Sequence, residues 1–334
     1  MPPYGASLDA VETRTVQVVS LKNVIVEFGF DSRGEIIMID FGNDLLNTRL
    51  AVKASTIYHY TSMATLPVFF ENDADLYCTN TECLNDSTEF FIGPNSFIDY
   101  LKANHRVDEH QEKRLRNDLT SKLNEEWVNN WVISFSEAED DLSQWRGYVS
   151  GTSGGYAIGF NTRKVVEALE ELTRQNKIKQ FNNIPLLTKC LYLEQDRENI
   201  NQLYKWIFSQ NKNAFESYLA GKDIDSNVRD IVIGAILFAT LPIKHDAFRA
   251  EREARIIIPI ADLDYSSVEI LGGKPRIPVG IASLKEPLYS YIDKIYISPH
   301  GNTQSLLSQV KWLKNKCRAK FEIVRSSIPY DPSR

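Results

Sequence analysis

Phe248-Arg249-Ala250-Glu251-Arg252-Glu253-Ala254-Arg255-Ile256-Ile257-Ile258 is the stretch on which the reading of the fold turns. It follows a long apolar helical run and opens a short run of β-branched residues, so it reads as the entry to a buried strand. Side chains alternate across a strand, which puts Glu251, Glu253 and Arg255 on one face. Two carboxylates and a guanidinium then project together from a rigid element, as an acid/base site requires. The same pattern also suits a solvated strand end that pairs its own charges. The rest of the chain has to decide between the two.

Just upstream, the apolar run 231–243 is too short and too interrupted to span a bilayer, and it reads as part of a buried helix over 226–243. Further helices are expected over 162–177 and 197–220, with a strand over 188–194. Downstream come short β-runs near 267–271 and 277–283. A βαβ-like unit follows, with a strand from 292, a helix over 303–318 and a strand over 321–324. Toward the N-terminus, Trp131-Val132-Ile133-Ser134-Phe135-Ser136 reads as a buried strand and Asp141-Leu142-Ser143-Gln144-Trp145-Arg146-Gly147-Tyr148 as a helical turn. Tyr156-Ala157-Ile158-Gly159-Phe160 is another strand. Thr56-Ile57-Tyr58-His59-Tyr60-Thr61-Ser62 reads as a strand with polar groups at its end, followed by a helical run over 63–71 with Ser62 as its cap. Asn85 or Asp86 caps the next helix, with Glu89 placed to close a capping box.

These elements mix short strands with long helical insertions and lack a regular βαβα rhythm, which points to an α+β fold. Residues 14–50 read as a small N-terminal β-meander with Asp31-Ser32-Arg33-Gly34 as a turn. The expected organisation is an accessory β-unit over 1–50, a main α+β domain over 51–326 and a loose tail over 327–334.

Composition narrows the function. Of 334 residues, 43% are hydrophobic and 25% charged, which fits a globular protein. The net charge of −6 argues against a broad DNA-binding surface, which needs a basic face. The polar start over 1–13 is unlike a secretory signal. Four cysteines are few, as in reduced cytoplasmic chains, and Cys78 and Cys83 have no partners that would complete a zinc site. No metal is expected.

Three segments carry chemistry that folding alone does not require. His59-Tyr60-Thr61 offers an imidazole at a strand end. The span 145–156 offers Trp145, Tyr148 and Tyr156 around a Gly-rich loop, which lacks the lysine and spacing of known phosphate loops. The third is the Glu251/Glu253/Arg255 face. An imidazole, aromatic rings and a carboxylate at a strand start suit a flat, cationic, ribose-bearing ligand. The carboxylate would hold a ribose hydroxyl and stabilise an oxocarbenium-like transition state.

The ordered series Tyr58-His59-Tyr60-Thr61-Ser62, Leu84-Asn85-Asp86-x-x-Glu89, Ser134-Phe135-Ser136, Trp145-x-x-Tyr148, Gly155-Tyr156-Ala157-Ile158-Gly159-Phe160, Lys244-His245-x-x-Phe248-x-x-Glu251-x-Glu253-x-Arg255 and Ile297-Ser298-Pro299 resembles a large bacterial domain family of unknown function. It has a looser similarity to ADP-ribosyltransferases. Those carry a His or Arg on a first strand, a Tyr or Ser on a second, and a catalytic Glu at a later strand start. The resemblance implies an ADP-ribosyltransferase-like core and NAD as substrate. His59 would bind the nicotinamide-side ribose, with Tyr60 beside it. Trp145 with Tyr148 or Tyr156 would stack on nicotinamide. Glu253 would be the catalytic carboxylate and Glu251 would orient or deprotonate the acceptor. Arg255, Arg146 or Arg252 would meet the pyrophosphate. The acceptor, protein or nucleic acid, stays open. Two other readings compete: a non-enzymatic binding or scaffold protein of a bacterial defence or toxin system, and a nuclease or phosphohydrolase holding magnesium with Asp86, Glu89, Glu251 and Glu253.

Overall fold

The computed structural model describes residues 27–30, 36–39, 50–84, 89–124, 129–149, 153–175, 186–221, 226–260, 265–284 and 286–330. Its strands are β1 (Glu27–Phe30), β2 (Ile36–Ile39), β3 (Thr56–Ser62), β4 (Tyr77–Asn80), β5 (Asn129–Ser136), β6 (Gly155–Asn161), β7 (Leu186–Lys189), β8 (Leu191–Tyr192), β9 (Ile243–Lys244), β10 (Glu253–Ile260), β11 (Glu269–Leu271), β12 (Lys274–Pro278), β13 (Ile292–Ile297) and β14 (Glu322–Arg325). Its helices are α1 (Glu89–His105), α2 (Glu109–Asn124), α3 (Leu142–Tyr148), α4 (Thr162–Arg174), α5 (Arg197–Gln210), α6 (Lys212–Leu219), α7 (Ser226–Thr240) and α8 (Thr303–Lys316).

Ten strands form one mixed sheet. Its main path runs β11-β12-β4-β5-β3-β6-β13-β14, and β10 pairs with both β5 and β7. Among the described residues only β13 and β14 pair in parallel within it. β1 and β2 pair antiparallel, while the expected turn at 31–34 and the first expected strand of that meander lie outside the described residues. So do Asn85 and Asp86.

The sheet has two apolar faces. On one, Trp131, Ile133 and Phe135 of β5 and Ala254, Ile256 and Ile258 of β10 pack with Leu169 and Leu172 of α4 and Leu306, Val310 and Leu313 of α8. On the other, Val132 and Ile257 meet the helical layer through residues such as Phe97, Leu203, Phe215 and Ile236. A smaller cluster of Tyr58, Tyr60, Trp145, Val149, Ala157 and Tyr296 lies under α3. The run read as a buried helix is one: Val232, Ile233, Ile236 and Leu237 of α7 are buried. No described helix is long and apolar enough to cross a membrane.

Two local expectations change. The helix expected after Ser62 is a 3-10 turn at Leu66–Phe70 with Thr65 as its cap, because Pro67 brings no N–H to a longer ladder. The tail is tied down over 326–330: Ser326 N–H donates to Ile297 O at 3.0 Å, and Ser327 N–H to Asp140 Oδ2 at 2.9 Å.

Candidate active site at the start of β10

The ionic cluster is built by three short pieces of backbone. β8 and β9 pair in parallel and place Tyr192 opposite Lys244. His245 then caps a 3-10 turn, Asp246–Glu251, by accepting from Ala247 N–H. Arg252 follows in the left-handed region at φ 44° and ψ 49°, and β10 starts at Glu253. Glu251 therefore stands outside the strand alternation that the sequence suggests. It joins Glu253 through the left-handed residue between them, while Glu253 and Arg255 do share a strand face.

Lys244 Nζ donates to Glu251 Oε2 at 2.8 Å and also to Glu253 Oε2. Arg255 donates to the same carboxylate twice, Nε to Oε1 at 2.6 Å and Nη2 to Oε2 at 2.9 Å. Its Nη1 reaches Leu241 O at 3.1 Å, and Glu253 N–H donates to the Tyr192 hydroxyl at 3.0 Å. Lys244, Glu253 and Arg255 are buried, whereas the Glu251 side chain keeps 22% of its surface. Burial alone would raise the Glu253 pKa. The adjacent Arg255 and Lys244 charges and their hydrogen bonds outweigh it and hold the group at about 2.

Tyr148, at the end of α3, lies near enough to this cluster to feel the charges of Glu251, Glu253, Lys244 and Arg255. The residue is 43% exposed. Its hydroxyl pKa is pushed up to about 12, first by burial and then by the negative charges of Glu251 and Glu253, partly offset by Lys244 and Arg255. The structure thus brings Tyr148, Glu251, Glu253 and Arg255 together.

It does not bring the other expected site residues to them. Tyr58 and Glu253 both pair with Ser136 of β5, so these three share one face. His59 is one residue off that row and faces the opposite side, against Phe69 and Phe135. Trp145 is fully enclosed, donates Nε1–H to Asp140 at 2.7 Å and meets Tyr60 edge-on at 4.8 Å. The Tyr60 hydroxyl donates to Ala138 O at 2.9 Å. Tyr156 is enclosed on the His59 side, its hydroxyl within hydrogen-bond distance of Gln309 Oε1 at 2.7 Å and Leu306 O at 3.0 Å. These three rings are core anchors, and none offers a face to a ligand. Arg146 and Arg252 are exposed, and Arg146 lies over the Tyr330 ring at 5.2 Å.

The Gly-rich loop is explained by packing. A Cβ on Gly154 would lie 2.5 Å from His300 O, and one on Gly155 would lie 2.2 Å from Thr61 O. Two backbones close against Gly154 and Gly155, the two described glycines of the loop.

His59 occupies a fork in the sheet. One edge of β5 carries β10 along its whole length. On the other edge, β4 pairs at Trp131 and Val132 and β3 only at Ser136. Among the described residues, Ile133, Ser134 and Phe135 have no strand partner there. His59 Nδ1 lies 3.3 Å from Ser134 O across this gap. Drawn as the Nδ1–H tautomer it donates to that carbonyl. Burial lowers the His59 pKa and the charge of Arg276 lowers it further, against the bond to Ser134.

Lys244, Tyr192 and Ser136 belong to the site although residue-type reasoning gave them no role. Lys244 heads the Lys244-His245 pair of the motif series, which was its available signal. Ser136 ends Ser-Phe-Ser, and its hydroxyl donates to Glu251 O at 2.6 Å. Nothing local marks Tyr192, whose partners within the cluster, Lys244 and Glu253, are 52 and 61 residues away. Among the described residues no group of three or more His, Cys, Asp or Glu could hold a metal ion.

Fold and site together define a mixed α/β protein with a buried ionic cluster at a strand start and a tyrosine near it. Residues 144–256 match the model of the family described as "Protein of unknown function (DUF2971)". This agrees with the domain family that the motif series resembles. The matched span runs from the start of α3 into β10. It contains Tyr148, Lys244, Glu251, Glu253 and Arg255, and it leaves His59 outside. No curated protein and no solved structure matches the chain.

Proposed function

We propose that the chain transfers ADP-ribose from NAD to an acceptor, with the reaction centre at the exposed edge of the Tyr148–Glu251–Glu253 cluster. One observation carries this reading: β3, β5 and β10 lie side by side, joined by the cross-strand row Tyr58–Ser136–Glu253. The resemblance to ADP-ribosyltransferases implies a His on a first strand, a Tyr or Ser on a second and a Glu at a later strand start; here β3 carries His59 and β10 opens with Glu253, and Ser136 of β5 is taken for the second position in place of Tyr148 or Tyr156.

The roles shift with the geometry. Glu251 is the carboxylate with surface, so it is the one that meets the reacting atoms. In the proposed step the bond between ribose C1′ and the nicotinamide nitrogen breaks, and its electron pair leaves with nicotinamide. The acceptor nucleophile bonds to C1′ and passes its proton to Glu251. Tyr148 supplies the exposed ring for the nicotinamide. Glu253 is a positioning residue: it holds Lys244 and Arg255, and Lys244 holds Glu251. His59 stands on the other face and has no contact role in this step.

The test is NAD labelled separately in the nicotinamide and adenosine halves, incubated with the protein and cell extract. Wild type is expected to release nicotinamide and leave label on an acceptor. Glu251→Gln is expected to cut this by about 100-fold or more at unchanged melting temperature. Undiminished turnover in that variant overturns the assignment.

The full occupation of Glu253 by Arg255 and Lys244 favours a second reading, a non-enzymatic binding or scaffold protein in which the cluster only orders the start of β10. That reading predicts no NAD turnover by wild type and a loss of stability in Glu253→Gln and Lys244→Met alike.

A further inference from the structure

We infer that the C-terminal segment 326–330 is a strap that sets the position of α3, and with it Tyr148 near the ionic cluster. The segment has no helix or strand of its own. It is held to α3 at three places in succession.

The first is Asp140, in the loop between β5 and α3. Its Oδ1 accepts from Trp145 Nε1 of α3 at 2.7 Å and from Ser326 Oγ at 2.7 Å, while Oδ2 accepts from Ser327 N–H. One carboxylate thus fastens helix and strap to each other. The second is Ile328, which packs on the cluster of Tyr58, Tyr60, Trp145, Val149, Ala157 and Tyr296 to which α3 contributes Trp145. The third is Tyr330. Its ring lies between the Arg146 guanidinium of α3, at 5.2 Å, and the His300 imidazole, edge-on at 5.3 Å.

His300 argues that this strap can lift. The residue is only 5% exposed, yet neither ring nitrogen has a hydrogen-bond partner among the described residues. A buried imidazole without partners carries an unfavourable term that water relieves once Tyr330 moves away. The closed strap therefore combines favourable contacts to α3 with a cost paid at His300. A segment without regular secondary structure, held largely by side chains, belongs to the low end of local stability. Lifting it releases Arg146 from Tyr330 and takes the Ser326 and Ser327 donors off Asp140, which loosens α3 although Trp145 keeps its own bond to Asp140, and Tyr148 ends the same helix. Access to the exposed edge of the cluster then depends on the far end of the chain. The relevance to transfer rests on the reading above, but the strap does not.

Backbone hydrogen exchange in the full-length protein tests it. Tyr330→Ala is expected to speed exchange of the α3 amides about tenfold while β5 and β10 stay protected as in wild type. His300→Phe removes the unpartnered nitrogens and is expected to slow exchange over 326–330 and α3. If that variant does not fold, Arg146→Ala replaces it, with acceleration confined to the same segments. The inference is overturned if Tyr330→Ala leaves α3 exchange unchanged, or if acceleration spreads equally to β5 and β10. NAD turnover is read separately: its absence in wild type removes the transfer reading and leaves the exchange result standing.

Discussion

At the scale of residues, Glu253 is where electrostatics and stability meet. Its carboxylate is enclosed and accepts three hydrogen bonds from two cations. Removing its charge leaves Lys244 and Arg255 buried with their main partner gone, and Glu253→Gln is expected to cost roughly 3 kcal/mol in denaturant unfolding. The sign of its pH dependence follows from its depressed pKa. An ordinary glutamate titrates at 4.5 and this one at about 2. Its contribution is therefore complete above pH 4.5 and drains away as the pH falls from there through 2. Unfolding midpoints measured across that window should fall more steeply for wild type than for the Gln variant. Arg252 makes the opposite case. It is an exposed non-glycine residue in the left-handed region, and Arg252→Gly is expected to raise stability by about 0.5–1 kcal/mol in a thermal melt. A loss instead would mean that the guanidinium makes a contact worth more than the strain.

At the scale of elements, close backbone approaches fix where helices and strands can sit. Gly93 of α1 meets α7 so tightly that a Cβ there would lie 2.5 Å from Thr240 O. Gly93→Ala should therefore cost about 1–3 kcal/mol in chemical denaturation, by pushing the two helices apart. The elements were mostly legible in the sequence. The strand over 56–62, the turn of helix capped by Asp141, and the buried α7 all follow from alternation, capping and apolar runs. The cluster was legible only in part. Glu253 and Arg255 share a face because strand alternation is local. Glu251 reaches them by a left-handed residue that no pattern announces. Tyr192 comes from a two-residue strand too short to carry a period. The Trp145 and Tyr156 rings have the composition of a stacking surface, but burial is decided by tertiary packing that one sequence does not display.

At the scale of the whole molecule, the sheet separates the candidate groups by face. Glu253, Tyr58 and Ser136 lie on one side, and His59, Phe135 and Tyr156 on the other. Exchanging His59 for Gln should therefore change NAD turnover far less than Glu251→Gln does, when both are measured at the same pH. Equal losses would mean that the ligand reaches through the fork between β3 and β5. The fork itself bears on solubility. Among the described residues three of β5 lack a strand partner on that side, of which Ser134 is half-buried, and an unpaired strand edge is a template for a strand from another molecule. The imidazole of His59 lies across Ser134 O and occupies the acceptor such a strand would need first. The fork can stay open within one molecule because a side chain, instead of a strand, stops it from recruiting a neighbour.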